Sequence, residues 1–292
     1  MKLNGIALIA LLSVNMLTYS QNGIVELPLT IHDGYGPFNM MKFTGMPFFS
    51  DRDENNPWIK TFPEILNFPE GLTDMKYGFI ETNMSQKVYQ NYLLGNITKT
   101  RYEFLQKSWN WKPDTLSLSK IPVKTQIAFA CGKDSEGILK IAIDTNNNLD
   151  LSDDDLFTPL IRSSLDWSKI DSLAQIFDID VNFETFIHNK IVPTTVSLFI
   201  IYEDIRFNMF LCNFQQYATT QLNGEQIAVN SQVFLSYDRI GVALTGNLKN
   251  GEKLKEDNIY KKNEYLEIKE EIYKILGVNT NKLTLVLEKV EQ

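Results

Sequence analysis

The stretch DTNNNLDLSDDD, residues 144–155, holds the residue types and spacing that most clearly predict a chemistry. It contains five Asp, three Asn and one Ser within twelve positions. Ca²⁺ takes roughly six to eight oxygen ligands, and a twelve-residue loop supplies them from positions 1, 3, 5, 7, 9 and 12. The residues at those positions are Asp144, Asn146, Asn148, Asp150 (through its backbone carbonyl), Ser152 and Asp155. The sequence therefore predicts a Ca²⁺ site formed by these six residues.

Three further positions refine this prediction. Position 8 is Leu151, which we expect to point into the core. Position 6 is Leu149 where such loops carry Gly, and position 12 is Asp155 where they carry a longer, bidentate Glu. Both departures lower the expected affinity, and extracellular loops of this kind bind Ca²⁺ with a Kd of about 10⁻⁴ to 10⁻³ M. The ion would then be a structural staple. The alternative is a solvated acidic turn, in which Asn and Asp bond their own backbone.

Predicted strands flank this loop and must position it. TQIAFAC and ILKIAI, on either side of the polar turn GKDSEG, indicate a hairpin, and the acidic loop directly follows its second strand. Further strands are predicted at TTVSLFIIY, RFNMFLC, VFLSYD and RIGVAL, with a second hairpin turning at Asn223-Gly224. NEYLEIKEEIYKI fits either a helical stripe or two strands joined by a turn at residues 269–271, and LTLVLEKV reads as a strand.

Two short helices are predicted ahead of the hairpin. SQKVYQNYLLGN has Ser85 as a candidate N-cap and Gly95 as a stop. TRYEFLQKSWNW has Thr100 and Glu103 at the spacing of a capping box. Before them, residues 28–71 hold six of the ten prolines, which predicts an irregular, aromatic-rich segment on the surface of the body.

These elements predict an α+β fold with mainly antiparallel strands and a few short helices in the N-terminal half. The chain is expected to form one β-rich unit over residues 21–292. An alternative division near residue 160 gives 21–160, with the helices, hairpin and acidic loop, and 161–292, with antiparallel strands.

The first twenty residues have the features of a signal peptide. Lys2 provides a short positive start, residues 6–17 are mainly apolar, and small side chains occupy the positions before Gln21, where we expect cleavage. The protein is thus predicted to be periplasmic or secreted. No later stretch reaches the roughly 18 to 20 apolar residues of a transmembrane helix, so no membrane span is expected after cleavage.

Charge and cysteine content restrict the partners further. Cleavage removes Lys2 as the only charged residue of the leader, which takes the formal net charge from −8 to −9. Because such a surface repels phosphate backbones, we predict no nucleic-acid partner. Cys131 and Cys212 are too few for a disulfide scaffold. They form either one bridge, with a redox role to be tested, or two free thiols buried in strands.

Residues 92–155 resemble the N-terminal region that precedes the thioredoxin domain in exported TlpA-type disulfide reductases. The resemblance is carried by the GNIT step into a helix with EFL, the LSKIPVK approach to the hairpin, and the acidic loop. The tail YLEIKEEIYKILGVNTNKLTLVLEK is similar to the strand pair before the catalytic domain of that family. The resemblance implies a shared accessory module. It argues against reductase activity, because the sequence has no Cys-x-x-Cys pair and ends where a thioredoxin domain would begin.

The function predicted from these features is a non-enzymatic binding or assembly module with a protein or glycan partner. The sequence has no Gly-x-Ser-x-Gly elbow, His-Glu-x-x-His motif, Walker loop or dinucleotide fingerprint. We therefore assign no catalytic and no organic cofactor-binding residues.

The alternative function is a hydrolase or sugar-binding component that uses surface carboxylates and tryptophans. Its aromatic platform would combine Trp58, Trp109 and Trp111 with Tyr35 and Phe38. The simpler interpretation places these rings in the core. A deep cleft with two carboxylates would favour the hydrolase.

Overall fold

A computed structural model describes residues 18–19, 23–39, 43–49, 56–109, 111–113, 117–206, 208–231, 240–249 and 251–291. Within these ranges antiparallel strands dominate, and β8–β10 is the one parallel strand pair. The predicted α+β, mainly antiparallel fold class is confirmed. The predicted leader, except Thr18–Tyr19, and the predicted strand VFLSYD lie outside the described residues.

The strands and helices follow one another along the chain in this order. The strands are β1 (Thr18–Tyr19), β2 (Ile24–Pro28), β3 (Thr30–Asp33), β4 (Thr44–Met46), β5 (Thr73–Glu81), β6 (Gln126–Lys133), β7 (Leu139–Ile143), β8 (Leu160–Ile161), β9 (Asp178–Ile187), β10 (Lys190–Glu203), β11 (Met209–Phe214), β12 (Gln216–Leu222), β13 (Glu225–Ser231), β14 (Ile240–Leu244), β15 (Tyr260–Lys261), β16 (Tyr265–Ile268), β17 (Glu271–Asn279) and β18 (Thr284–Lys289). The α-helices are α1 (Met84–Leu93), α2 (Lys99–Ser108) and α3 (Ile170–Ile176).

A three-stranded sheet in the order β5-β6-β7 carries the acidic loop at the end of β7. Its β6–β7 pair is the predicted hairpin. Strand β6 is buried at seven of its eight residues because both of its faces are covered. Ile127 and Phe129 face one apolar cluster, whereas Ala128 and Ala130 face another. The second cluster includes aromatic residues from the later part of the proline-rich segment, such as Phe62, so that part packs on the other face of this sheet. Strands β3 and β4, from the earlier part, pair with strands of other sheets.

The first cluster joins this sheet to a second one. The second sheet has the order β4-β11-β10-β8, with β9 paired to β10. Its Phe183, Leu198 and Phe210 pack in the same cluster as Ile127 and Phe129. The two sheets thus share one core, and the acidic loop extends from the edge of that core.

The other two sheets share a separate core. Their orders are β1-β2-β18-β17-β16 and β15-β14-β13-β12-β3. Buried residues of both, including Leu27, Val229, Tyr273 and Leu285, form one cluster. Strands from the start of the chain complete these sheets, since β2 pairs with β18, β3 with β12, and β4 with β11 of the second sheet. The alternative division near residue 160 stays a prediction.

Local details differ from the sequence predictions at the helix starts and in the tail. The N-cap of α1 is Asn83, not Ser85, and that of α2 is Thr98, not Thr100. Each helix begins two residues earlier than predicted. The side-chain oxygen of the observed N-cap accepts the backbone N–H of the third residue after it, which is the usual capping bond. The ambiguous tail forms the strand pair β16–β17, and Lys269 takes the left-handed conformation in its turn (φ 49°).

Candidate metal site in the loop after strand β7

Asp144 is the structural centre of the acidic loop. Its side chain is fully buried at the end of β7. Oδ1 accepts the backbone N–H of Asn148 at 2.9 Å, and Oδ2 accepts that of Leu149 at 3.0 Å. Burial raises the pKa of this carboxyl, and the charge of Asp154 raises it further, whereas the backbone donors lower it. The loop therefore contains a desolvated carboxylate that a cation would stabilise.

The following polar side chains fold back onto the loop in a regular series. Asn146 Oδ1 accepts the N–H of Asn148 at 3.1 Å, and Asn148 Oδ1 accepts that of Asp150 at 2.7 Å. Asp150 Oδ1 accepts both the N–H and the hydroxyl of Ser152, at 3.0 and 2.5 Å. Each bond closes a turn of the Asx type, which holds a carbonyl or carboxylate oxygen near the next backbone amide.

Asp153 is the carboxylate that meets the two asparagine side chains. Its Oδ2 accepts from Asn146 Nδ2 at 3.2 Å and from Asn148 Nδ2 at 2.9 Å. The twelve-residue spacing predicted Asp155 as the closing ligand. Asp153 and Asp155 are both exposed, and it is the hydrogen bonds to the two asparagines that distinguish Asp153. The set brought together at the loop is thus Asp144, Asn146, Asn148 and Asp153.

The other predicted ligands lie outside this set. The Asp150 side chain accepts from Asn67 Nδ2 at 2.7 Å and from Ser152, which lowers its pKa. Ser152 Oγ donates to Asp150. The sequence predicted that Asp150 binds the ion through its backbone carbonyl. The contacts of its side chain do not test this, so it stays a prediction.

Asp154, which the spacing rule did not select, closes the loop. Its Oδ1 accepts the backbone N–H and the hydroxyl of Thr145, at 3.0 and 2.6 Å. Burial raises the pKa of Asp154, and the charges of Asp153 and Asp150 add to this effect. The carboxylate joins the last residues of the loop to its second residue. The run of three Asp at 153–155 is the only signal for this role, and it does not say which of them turns inward.

Leu149 adopts the backbone conformation that Gly takes in such loops. Its φ is 67°, in the left-handed region that disfavours branched and bulky residues. The side chain packs on the cluster around Phe79, and this contact offsets the strain. Leu151 is fully buried in the same cluster, which confirms its predicted orientation. The substitution of Gly by Leu therefore leaves the turn intact.

Backbone hydrogen bonds tie the loop to two other parts of the fold. The Thr145 carbonyl accepts the N–H of Asn182 on β9 at 2.8 Å. On the other side, the N–H of Leu66 donates to the Leu149 carbonyl at 2.8 Å, and the N–H of Leu151 donates to the Asn67 carbonyl at 3.0 Å. The loop thus joins β7, β9 and the segment before β5.

The loop could hold a cation only if carboxylate and amide side chains both serve as ligands. Among the described residues, no group of three or more His, Cys, Asp or Glu side chains could hold a metal ion. The four side chains at the loop are instead two Asp and two Asn. Carboxylate and amide oxygens are ligands of Ca²⁺, and its flexible coordination tolerates such a set.

A cleft of about 560 Å³ opens beside the loop. Its carboxylates come from the end of the loop and from β9. They are Asp153, Asp154, Asp155 and Asp178. Phe157 and Leu160 are among its apolar walls.

Of the five aromatic residues considered for a binding platform, the three tryptophans lie around the buried cluster of α1 and α2, whereas Tyr35 and Phe38 lie elsewhere. Trp58 stacks on Trp109 with 6.4 Å between ring centroids, and Trp111 lies edge-on to Tyr102. Tyr35 and Phe38 are buried in two other clusters.

Both cysteines are buried as free thiols in the core shared by the first two sheets. Cys131 lies on β6 and Cys212 on β11. Burial raises the pKa of Cys131 to about 11 and that of Cys212 to about 12. Such thiols carry almost no thiolate at neutral pH and are poor nucleophiles.

Compared with protein-family models, curated proteins and solved structures, the chain shows no match. None of the helices in the described ranges is long and apolar enough to cross a membrane.

Proposed function

We propose that the protein is an exported, non-enzymatic binding or assembly module in which residues 144–155 bind Ca²⁺ as a structural staple. The observation that carries the proposal is the convergence of Asp144, Asn146, Asn148 and Asp153 on one loop, around a buried carboxylate with a raised pKa. A cation at this point compensates the charge that burial and the neighbouring acids make unfavourable.

The position of the loop supports a staple. It is bonded to β9 through Asn182 and to the segment before β5 through Leu66 and Asn67. An ion that fixes the loop also fixes the relative positions of these elements. Export is proposed from the signal-peptide features of the first twenty residues, and the accessory-module role from the resemblance to the TlpA-type region.

The test is thermal unfolding of the protein in EDTA and in millimolar CaCl₂. At a Ca²⁺ concentration ten times the Kd, binding raises the free energy of unfolding by about 1.4 kcal/mol. For a chain of this length that is roughly 3–6 °C in Tm. An unchanged Tm at 10 mM Ca²⁺ would show that Ca²⁺ does not stabilise the fold and would contradict the structural role of the ion.

A matched pair of variants tests which carboxylate takes part. Asp153→Asn and Asp155→Asn each remove one negative charge from the same loop. We expect Asp153→Asn to abolish the Ca²⁺-induced rise in Tm and Asp155→Asn to retain most of it, because only Asp153 contacts Asn146 and Asn148. The reverse result would return the closing ligand to Asp155.

One observation favours the hydrolase as a second candidate. The cleft beside the loop is lined by several carboxylates, and the pKa of Asp154 among them is raised, as a general acid requires. Glycosidases use two such carboxyl groups on either side of the scissile bond. Turnover of aryl glycosides that is lost in both Asp154→Asn and Asp178→Asn, with Tm unchanged, would support this candidate over the binding module.

A further inference from the structure

A cavity of about 300 Å³ lies on the side of the acidic loop that faces α1. Its walls come from three parts of the chain that are distant in sequence. They are the segment 60–63, the polar face of α1 with the residues after it, and the approach to β6 at 122–126. Asn147 and Leu149 of the acidic loop complete the lining. The volume is at the lower end of the range of small-molecule sites, which begins at about 300 Å³.

Two lining residues have buried polar atoms without a hydrogen-bond partner. Thr125 is 2 % exposed and Asn147 is 4 % exposed. The Thr125 hydroxyl and the Asn147 amide nitrogen are both unpaired. Buried polar groups in folded proteins are almost always hydrogen-bonded, since an unsatisfied one destabilises the fold. Both residues line the cavity, so a molecule bound there is the candidate for the missing partner of each group.

The charged residues of the cavity indicate that its ligand is an anion. Lys60 and Lys124 line it, and no Asp or Glu side chain is among its described lining residues, although the chain as a whole carries a net charge of −8. Lys124 Nζ donates to the Asn147 backbone carbonyl at 2.9 Å, which places its charge close to the unpaired amide. A hydroxyl, an amide N–H and two ammonium groups are all donors, and donors of this kind favour a carboxylate.

Part of the wall is apolar, beside the side-chain amides of Gln90, Asn91, Asn96 and Gln126. Phe62, Pro63, Pro122 and Val123 contribute a ring, two pyrrolidines and a branched aliphatic side chain. A simple inorganic anion would leave this surface unused. The ligand should therefore combine a carboxylate with an apolar substituent.

We propose that this cavity binds a small carboxylate of the size of an N-acylated amino acid. Thr125 and Asn147 donate to the carboxylate, Lys60 and Lys124 neutralise it, and Phe62 contacts the apolar substituent. The inference rests on the proposed binding function and gives it a site and a ligand class. It does not require Ca²⁺ in the loop, so the two proposals can fail separately.

The experiment is calorimetric titration of the full protein in EDTA with N-acetylglycine, N-acetyl-L-valine and N-acetyl-L-phenylalanine. The neutral amide of each compound is the control for charge. We expect at least one acid to bind at millimolar concentration or below, and its amide to bind at least tenfold more weakly. No heat with any of the three acids at 10 mM, or equal binding of acid and amide, would overturn the proposal. The Ca²⁺ titration decides the staple independently.

Variants connect binding to the named residues. Thr125→Val keeps the shape of the side chain and removes the unpaired hydroxyl, so we expect an unchanged or higher Tm of the free protein together with at least fivefold weaker binding of the acid. Lys60→Gln should also weaken binding at least fivefold, whereas Lys255→Gln, an exposed lysine outside the cavity lining, should not. If Thr125→Val lowers Tm and leaves affinity unchanged, the hydroxyl is structural and the assignment is wrong.

Discussion

At the scale of single residues, Asp144 organises the acidic loop and carries its buried charge. The sequence pattern selects Asp144 as the first ligand of the loop, but it does not predict whether the side chain is buried or exposed. The structure adds that both carboxylate oxygens accept backbone N–H groups of the loop. The carboxylate thus organises the turn with or without an ion, and a cation adds the missing opposite charge.

This arrangement predicts a pH dependence of the Ca²⁺ effect. Burial raises the pKa of Asp144 and of Asp154 in the folded protein. A group with a raised folded-state pKa contributes stability that is fully present below its unfolded pKa, about 3.9 for Asp, and is lost as pH rises through the folded value. Ca²⁺ replaces the protons lost in that window. The difference in Tm between Ca²⁺ and EDTA should therefore be large at about pH 7 and vanish towards about pH 4.

The measurement is a set of melts across that pH range, with and without Ca²⁺. A difference in Tm that is independent of pH would mean that the titration of Asp144 and Asp154 is not coupled to Ca²⁺ binding.

The sequence identified part of the loop at this scale. Leu151 was correctly placed in the core, because position 8 of the twelve-residue loop determines the side of the loop on which it lies. The roles of Asp153 and Asp154 were not predicted, since three consecutive Asp offer equal chemistry and only the path of the backbone selects between them. Leu149 was expected to lower the affinity for Ca²⁺, which stays a prediction, and its packing on the Phe79 cluster could not be read from a local pattern.

At the scale of elements, predictions succeeded where local signals were strong. The hairpin β6–β7 and the turn at Asn223-Gly224 were predicted because polar, Gly-containing turns separate apolar strands. Strand β5 was missed. Its first half is exposed, its second half is buried, and Gly78 interrupts it, so it shows no alternation. The tail could not be assigned because one set of apolar residues fits both a helix and two strands.

Gly78 shows what positions β5 and gives a prediction at this scale. A Cβ built there would lie 2.2 Å from the Pro47 carbonyl oxygen and 2.7 Å from the Phe129 ring. Gly78→Ala should therefore lower the free energy of unfolding by about 1–3 kcal/mol or more. Gly45→Ala is the control, because its added methyl meets only the flexible end of Met209.

Chemical denaturation of both variants measures the difference. Equal stability of Gly78→Ala and the parent protein would show that Gly78 does not pack against the Pro47 carbonyl and the Phe129 ring.

At the scale of the whole molecule, the fold depends on pairings that no local pattern contains. Strand β2, near the start of the chain, pairs with β18 near its end. Likewise, β4 joins the sheet that contains β11. Alternating patterns show that a segment forms a strand, but they do not identify its neighbour, and for this reason the sequence predicted the fold class without the sheet order.

The shared core of the first two sheets determines the behaviour of the cysteines. Cys131 and Cys212 are buried with pKa values raised to about 11 and about 12. At pH 8 neither should react with a thiol reagent within minutes in the native protein, and both should react after denaturation. Counting thiols with Ellman's reagent in buffer and in guanidinium chloride tests this. Rapid native reaction of either residue, or fewer than two thiols after unfolding, would reopen a redox role.

The most direct test of the central claim is a crystal structure of the protein grown or soaked in millimolar CaCl₂. We expect an ion whose ligands include oxygens of Asp144, Asn146, Asn148 and Asp153 at about 2.3–2.6 Å. A well-ordered loop without an ion, in which Asp153 still accepts hydrogen bonds from both asparagine amides, would contradict it.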